Sequence, residues 1–137
     1  MSYATAAELQ DRFGETLTQI VGEDPMTSKA VATALQAAAV ELDSFLQSRF
    51  TLPLMDVPEL LRDLACDVAI YRLLSLRPDQ EVKDARARYK DAIERLEKIR
   101  EGRLDLGLPQ DQLPSRPAPV QITSSRRLFT RTSLRDA

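Results

Sequence analysis

Apolar residues recur every three or four positions through the first hundred residues of the chain, which is the spacing of amphipathic α-helices. The clearest stripe lies within residues 28–46 and comprises Val31, Leu35, Ala38, Leu42, Phe45 and Leu46. A second helix is predicted from Pro58 to about residue 76, and its breadth of apolar positions indicates a central place in the fold. A third stripe, at nearly heptad spacing, predicts a helix from about Asp79 to Glu101.

Capping residues and glycines mark further helix ends. Thr5 and Glu8 have the spacing of a capping box, which predicts a short first helix that ends at Gly14. Another short helical turn follows, and Thr27 or Ser28 is placed to cap the long third helix. The pattern therefore predicts an all-α body, a small bundle of about four to five helices.

The connector at residues 50–55 is unusually rich in large apolar side chains, namely Phe50, Leu52, Leu54 and Met55. Pro53 and Pro58 prevent it from continuing a helix. Such a loop either packs over the core of its own subunit or lies in an interface between subunits. Phe50, Leu52 and Leu54 are therefore candidates for contact with a partner.

Helical periodicity stops at Pro109. Four prolines within eleven residues, Pro109, Pro114, Pro117 and Pro119, favour extended backbone. The alternating residues at 120–123 and the segment 126–131 follow, and as short strands they would form a β-hairpin through Ser124 and Ser125. We predict two parts, a helical body at residues 1–108 and a Pro/Arg-rich extended docking arm at residues 109–137.

The charge changes sign at the same boundary. The whole chain has a net charge of −2. Residues 1–108 carry 14 Lys and Arg against 19 Asp and Glu, whereas residues 109–137 carry 5 Arg against 2 Asp. A body and an arm of opposite sign are suited to contacts with other proteins or with further copies of the same chain, which favours assembly over catalysis.

The arm carries the main candidates for partner binding: Arg126, Arg127, Leu128, Phe129, Arg131 and Leu134. Its apolar side chains would fill pockets on a partner while its arginines pair with acids. Two alternatives stay open, a disordered tail and a nucleic-acid arm whose arginines contact phosphates while Phe129 stacks on a base. Regular alternation and the aromatic anchor favour docking.

Residues for enzymatic chemistry are sparse. The chain has no His and a single Cys, Cys66, which removes the usual general base, the commonest metal ligand and every Ser-His or Cys-His pair. Its four glycines stand alone, so no phosphate-binding loop is present. Asp67 is either a general acid with a raised pKa or, as we favour, a helix-surface acid or one paired with Arg. We predict no enzyme activity, no cofactor and no metal.

The sequence also predicts no export and no membrane partner. Met1 leads almost directly into a helix start, without the charged and apolar regions of a secretory signal. No uncharged apolar run approaches the ~20 residues that span a bilayer. A lone thiol suits a reducing compartment, and Cys66 is expected to be a small buried core residue. We expect a soluble protein made in a cytoplasm.

Several short segments follow one another in a specific order: Asp11-Arg12-Phe13-Gly14, Arg49-Phe50-Thr51-Leu52-Pro53-Leu54, Val57-Pro58, the helix from Leu64 to Arg72, Arg88-Tyr89 with Ala92, Leu96 and Gly102, and Leu128 to Leu134. In order and spacing they resemble the Mu-like phage and prophage head–tail adaptor, or connector, proteins, a family formerly classed as a domain of unknown function. The resemblance covers nearly the whole chain.

The resemblance implies a structural virion protein with an all-helical fold and no catalytic motif. Such adaptors form a ring under the portal that joins the head to the neck or tail of a long-tailed phage. The implied partners are the portal protein, a neck or tail-completion protein, and further copies of the chain, twelve if the ring matches portal symmetry. DNA would pass through the lumen without specific binding, at the head–tail junction of a virion assembled in the host cytoplasm. The alternative is a small helical regulatory or nucleic-acid-binding module that uses the Arg-rich arm.

Overall fold

Five α-helices and no strand make up the part of the chain that the computed structural model describes, residues 2–77 and 84–108. The helices are α1 (Ala6–Phe13), α2 (Glu15–Val21), α3 (Lys29–Leu46), α4 (Glu59–Ser75) and α5 (Ala85–Glu101). The predicted all-α bundle is confirmed. The predicted hairpin and the arm candidates lie outside the described residues; these candidates are Arg126, Arg127, Leu128, Phe129, Arg131 and Leu134.

Helix α4 is the centre of the bundle. It packs most extensively on α3, then on α5, and it also contacts α1 and α2. Eight of its residues are buried, a pattern that covers most of its circumference: Leu61, Leu64, Ala65, Cys66, Val68, Ala69, Ile70 and Leu73. The central position that the breadth of its apolar pattern predicted is therefore confirmed, and so is the burial of Cys66 in the core.

The N-terminal helices are fixed by local caps and by a long-range contact. The Thr5 hydroxyl accepts from the Glu8 amide at 3.2 Å and the Glu8 carboxylate accepts from the Thr5 amide at 2.8 Å, which confirms the capping box. Ser28 caps α3 through the Val31 amide. Ahead of α1, the buried Tyr3 donates a hydrogen bond to Asp43 on α3. The caps fix the starts of α1 and α3, and the Tyr3–Asp43 contact ties the beginning of the chain to α3.

Two predicted helix starts are wrong. Helix α5 begins at Ala85 instead of Asp79, because Asp84 has a left-handed backbone with φ +67°, which interrupts a helix. Residues 78–83 lie outside the described residues. Pro58 is the N-cap and not the first helical residue, since its ψ of 146° is extended. Its carbonyl accepts from the amides of Leu61 and Arg62, so the hydrogen-bond ladder of α4 begins there.

The apolar connector packs largely on its own chain. Phe50 and Leu54 are each 5% exposed and belong to the core, and Leu52 is partly buried against it. Met55, in contrast, is 85% exposed. A partner-binding role for Phe50, Leu52 and Leu54 stays a prediction, and Leu52 is the member of that set with more accessible surface in the single chain.

Beyond α5, the chain remains attached to the bundle up to the end of the described residues. Gly102 ends the helix in a left-handed conformation with φ +82°. Leu104, Leu106 and Leu108 then pack against the core. Across residues 2–77 and 84–108, every helix is too short or too polar to cross a bilayer.

Shortening a fully buried leucine of α5 tests this packing. Leu96 has no exposed surface, so Leu96→Ala is expected to lower the free energy of unfolding by about 3 kcal/mol through lost burial and a residual cavity. Val40→Ala is the control, because Val40 is 61% exposed on α3 and its shortening should change stability by less than about 0.5 kcal/mol. Urea unfolding followed by circular dichroism measures both. Equal effects of the two substitutions would contradict the described packing.

Candidate functional site

Three clusters of polar and aromatic side chains connect the helices at the edge of the core. The first, called here the Arg12 cluster, comprises Arg12, Phe13, Asp63, Asp67 and Arg88. The Arg12 guanidinium pairs with the Asp63 carboxylate and donates to the Asp63 backbone carbonyl at 3.3 Å. It also lies 3.8 Å from the Asp67 carboxylate, while Arg88 covers the Phe13 ring at 5.7 Å. The cluster thus joins α1 to α4 and α5.

A polar cleft of about 420 Å³ opens over this cluster. It brings Asp67 close to positive charge from two other helices. Burial raises the pKa of the Asp67 carboxyl, and three arginines oppose that rise. The three are Arg12, Arg88 and Arg95. The sequence-based interpretation of Asp67 as an acid paired with Arg therefore agrees with the geometry.

The chemistry available in the cleft is limited. The neighbouring Cys66 is 1% exposed, and burial raises the pKa of its thiol to about 11, so the thiolate is scarce near neutral pH. Within residues 2–77 and 84–108, no three Asp, Glu or Cys side chains are grouped so that they would hold a metal ion. The arrangement is suited to holding helices together by charge.

The second cluster is centred on Glu41 of α3, and we call it the Glu41 cluster. One carboxylate oxygen of Glu41 accepts from the Tyr89 hydroxyl at 2.7 Å, and the other pairs with Arg72 at 2.7 Å. The rings of Tyr71 and Tyr89 stack with centroids 4.1 Å apart and planes 13° apart. One acid on α3 therefore fixes a pair of aromatic rings that α4 and α5 contribute.

These rings form part of a surface groove of about 560 Å³, called here the aromatic groove. Phe45, Tyr71, Tyr89 and Ile93 form its apolar floor, and Glu94 and Glu97 stand along its side on α5. All four floor residues are partly buried, so each keeps some accessible surface. The groove is a place where apolar and acidic groups meet on the outside of the body.

The third cluster closes the C-terminal end of α5, and we call it the Arg49 cap. Arg49 donates to the Ile99 carbonyl at 2.8 Å, and this carbonyl in the last turn of α5 also accepts from the Gly102 amide at 3.1 Å. The guanidinium also lies beside Gly102, where an added Cβ would approach it to 3.0 Å. Arg49 therefore ties the connector after α3 to the last turn of α5, against the negative end of its dipole.

The sequence indicates only part of these sites. Asp67 stands out from its position in an apolar helix, and the structure places it in a charged cleft. Sequence reasoning missed Glu41 and Arg49, because each acts through a partner on a distant helix and no periodicity marks them. The arm candidates fall outside the described residues, so the structure does not bring them together with Phe50, Leu52 and Leu54.

A protein-family model described as "Bacteriophage Mu, Gp36" matches residues 3–124 of the chain. The chain belongs to this family. It is 34% identical over 138 residues to "Gene product J" of Escherichia phage Mu, an alignment that covers 96% of each protein. It is also 38% identical over 81 residues to "Mu-like prophage FluMu protein gp36" of Haemophilus influenzae, which covers 59% of this chain and 55% of that protein.

Membership in the Gp36 family confirms the resemblance to Mu-like phage proteins and makes the chain a phage protein. The match includes all five helices and the three clusters. Several of the segments that carried the resemblance, all within the described residues, also meet in space. Arg12, Asp67 and Arg88 lie in one cluster, and Arg49 and Gly102 form another. Those segments therefore correspond to contacts between helices that are distant in sequence.

The Arg49 cap predicts that two glycines of similar backbone conformation differ in tolerance. Gly102→Ala is expected to cost about 1 kcal/mol more in unfolding free energy than Gly22→Ala, because its Cβ would displace Arg49 from the Ile99 carbonyl. Gly22 is the matched control, with φ +71° and no atom within 4 Å of the position that a methyl group would take there. In an Arg49→Met background the two costs should become equal. A difference that persists there would contradict the assigned role of Arg49.

The raised pKa of Asp67 predicts a pH-dependent effect of its removal. A carboxyl whose pKa is higher in the folded state costs stability as pH rises from its unfolded pKa through its folded pKa. Asp67→Asn removes that cost. The variant should therefore gain stability relative to the unmodified chain as the pH is raised from the acidic range to neutrality, a range that includes the pKa of Asp67 in both the unfolded and the folded state. Urea unfolding at each pH measures the difference. A difference that moves the opposite way would mean that the arginines outweigh burial.

Proposed function

We propose that this phage protein is a structural component of the virion, a head–tail adaptor whose ring joins the portal to the neck or tail and which has no catalytic activity. Membership in the Mu Gp36 family supports the phage setting. The described clusters support a structural role, since their charged groups are used to join helices. The proposal goes beyond both observations in naming the ring and its neighbours.

The observation that carries the proposal is that the body builds its core from its own helices while a segment of opposite charge follows. The core residues run from Tyr3 to Ile99, and Leu104 to Leu108 pack on them. The arm at residues 109–137 has 5 Arg and 2 Asp, against an excess of acids in the body. A basic segment of this kind can bind an acidic surface on another subunit.

A ring follows from this arrangement if each copy contacts the next in the same way. Such a contact joins two different surfaces and closes by rotation. The 29 arm residues extend at most about 95 Å at ~3.3 Å per residue, which is enough to cross a neighbouring subunit or to reach the portal. Twelve copies would match portal symmetry. An acidic body suits a lumen through which DNA slides without specific binding.

The test is the mass of the full-length protein alone and after mixing with the portal protein of the same phage, by native mass spectrometry. The proposal expects a stoichiometric ring on the portal. A chain that ignores the portal and instead binds DNA fragments with a steep dependence on salt would favour the nucleic-acid-binding alternative. That alternative draws its support from the five arginines of the arm.

The aromatic residue of the arm should dominate binding. Phe129→Ala is expected to weaken assembly on the portal by about 30-fold or more, because a buried aromatic anchor typically contributes about 2 kcal/mol or more to binding. Thr130→Ala is the matched control on the adjacent residue, and we expect a change of less than about threefold there. Titration by native mass spectrometry or light scattering measures both variants. Equal effects would show that Phe129 is not an anchor.

A further inference from the structure

The aromatic groove has the chemistry to receive a basic segment that carries an aromatic side chain. We propose that it binds residues 126–131 of the arm of a neighbouring copy, with Phe129 on its aromatic floor and arginines against Glu94 and Glu97. This inference rests on the proposed function, in which copies lie side by side in a ring. It names the receiving surface of the arm and assigns the arm to the neighbouring subunit.

The floor of the groove is already ordered in the single chain. Tyr71 and Tyr89 stack in nearly parallel planes, and Glu41 holds the Tyr89 hydroxyl at 2.7 Å. Phe45 and Ile93 also line the groove, and the Arg100 guanidinium lies over the Phe45 ring at 5.3 Å from its centroid. A further aromatic ring packs favourably on such a platform, both by burying area and by ring–ring contact. Because the rings are held in place, binding requires little further ordering of the groove.

The acids beside the floor are available for a cationic partner. Glu94 and Glu97 are exposed on α5, and neither forms an ion pair in the described part of the chain. Arg86 and Lys90 lie along the same groove nearer the start of α5. The groove therefore runs from a basic end to an acidic end. The arginines of segment 126–131 are attracted to the acidic end and repelled from the other, which sets the position of the segment.

The length of the proline-rich spacer favours the groove of a neighbour over that of the same chain. Residues 109–119 include four prolines, and eleven residues of extended polyproline-type chain span about 34 Å. Helix α5, with 17 residues, is about 25 Å long. In that extended form the spacer is longer than the helix, so it would carry segment 126–131 past the groove of its own subunit and toward the next one.

Photocrosslinking of the full-length protein tests the assignment. Phe129 is replaced by the photoreactive analogue p-benzoylphenylalanine in ¹⁵N-labelled chain. This chain is mixed with unlabelled chain at a concentration high enough to populate a weak contact, then irradiated and analysed by peptide mass spectrometry. We expect peptides that join position 129 of a labelled chain to residues 45, 71 or 86–97 of an unlabelled one. Links within a single chain, links to another surface of the body, or no links between chains would overturn the proposal.

Charge reversal supplies a second readout that a loss of folding would not reproduce. Glu94→Arg combined with Glu97→Arg is expected to lower the yield of the intermolecular link about tenfold, because like charges then face each other. Adding Arg127→Glu and Arg131→Glu to the same chain should restore the yield. Glu23→Arg, at an exposed loop position after α2, is the matched control and should leave it unchanged. Failure of the compensating pair to restore the link would contradict the assigned charge contacts.

The two proposals fail in distinguishable ways. A ring that forms on the portal while position 129 links elsewhere would remove the groove assignment and leave the adaptor function. Links into the groove of a second copy without any binding to the portal would establish self-association through the groove. They would also contradict the proposed function at the portal.

Discussion

Burial of α4 among the four other helices is the constraint on which the rest of the structure depends. Every other helix contacts it, and eight of its seventeen residues are buried. The chain contains no Trp and only 5% aromatic residues, so this core is built mainly from Leu, Ile, Val and Ala side chains. Apolar packing of this kind has little directional preference. The charged and aromatic clusters at the edge fix how the helices are placed relative to one another, since each cluster forms only when distant parts of the chain lie in one arrangement.

Much of the body was predictable because its helices obey local rules. The periodicity placed α3 and α4, and the capping pattern at Thr5 placed the start of α1. The start of α5 was predicted wrongly, since the left-handed conformation of Asp84 has no signature in a pattern of apolar residues. Two aromatic residues of the predicted helices, Phe45 and Tyr89, lie at the edge of the core and line a groove. An apolar stripe shows which side of a helix faces its neighbours, but it does not show which residues of that side are fully covered and which lie at the edge of the core.

The candidate sites were less predictable than the helices because they depend on pairs that are distant in sequence. Glu41 is one acid among many on an acidic body until α4 and α5 bring Arg72 and Tyr89 to its two oxygens. Arg49 becomes a helix cap only once the end of α5 lies beside it. Asp67 was identified because an acid within an apolar helix is unusual at any tertiary arrangement. A charged residue within an apolar stretch of sequence can therefore be recognised from the sequence, whereas a charged residue among other charged residues cannot.

The proposed arm contact, which combines one aromatic anchor with a few exposed ion pairs, has a consequence for assembly. A single arm that places one aromatic anchor and a few exposed ion pairs on its neighbour makes a weak contact, because exposed pairs contribute little. Free copies would then remain largely separate. A template that holds several copies side by side converts each arm contact into one within a single assembly, where the effective concentration is high. Weak arm contacts would therefore make ring formation depend on the template, so that a ring forms on the template and not among free copies.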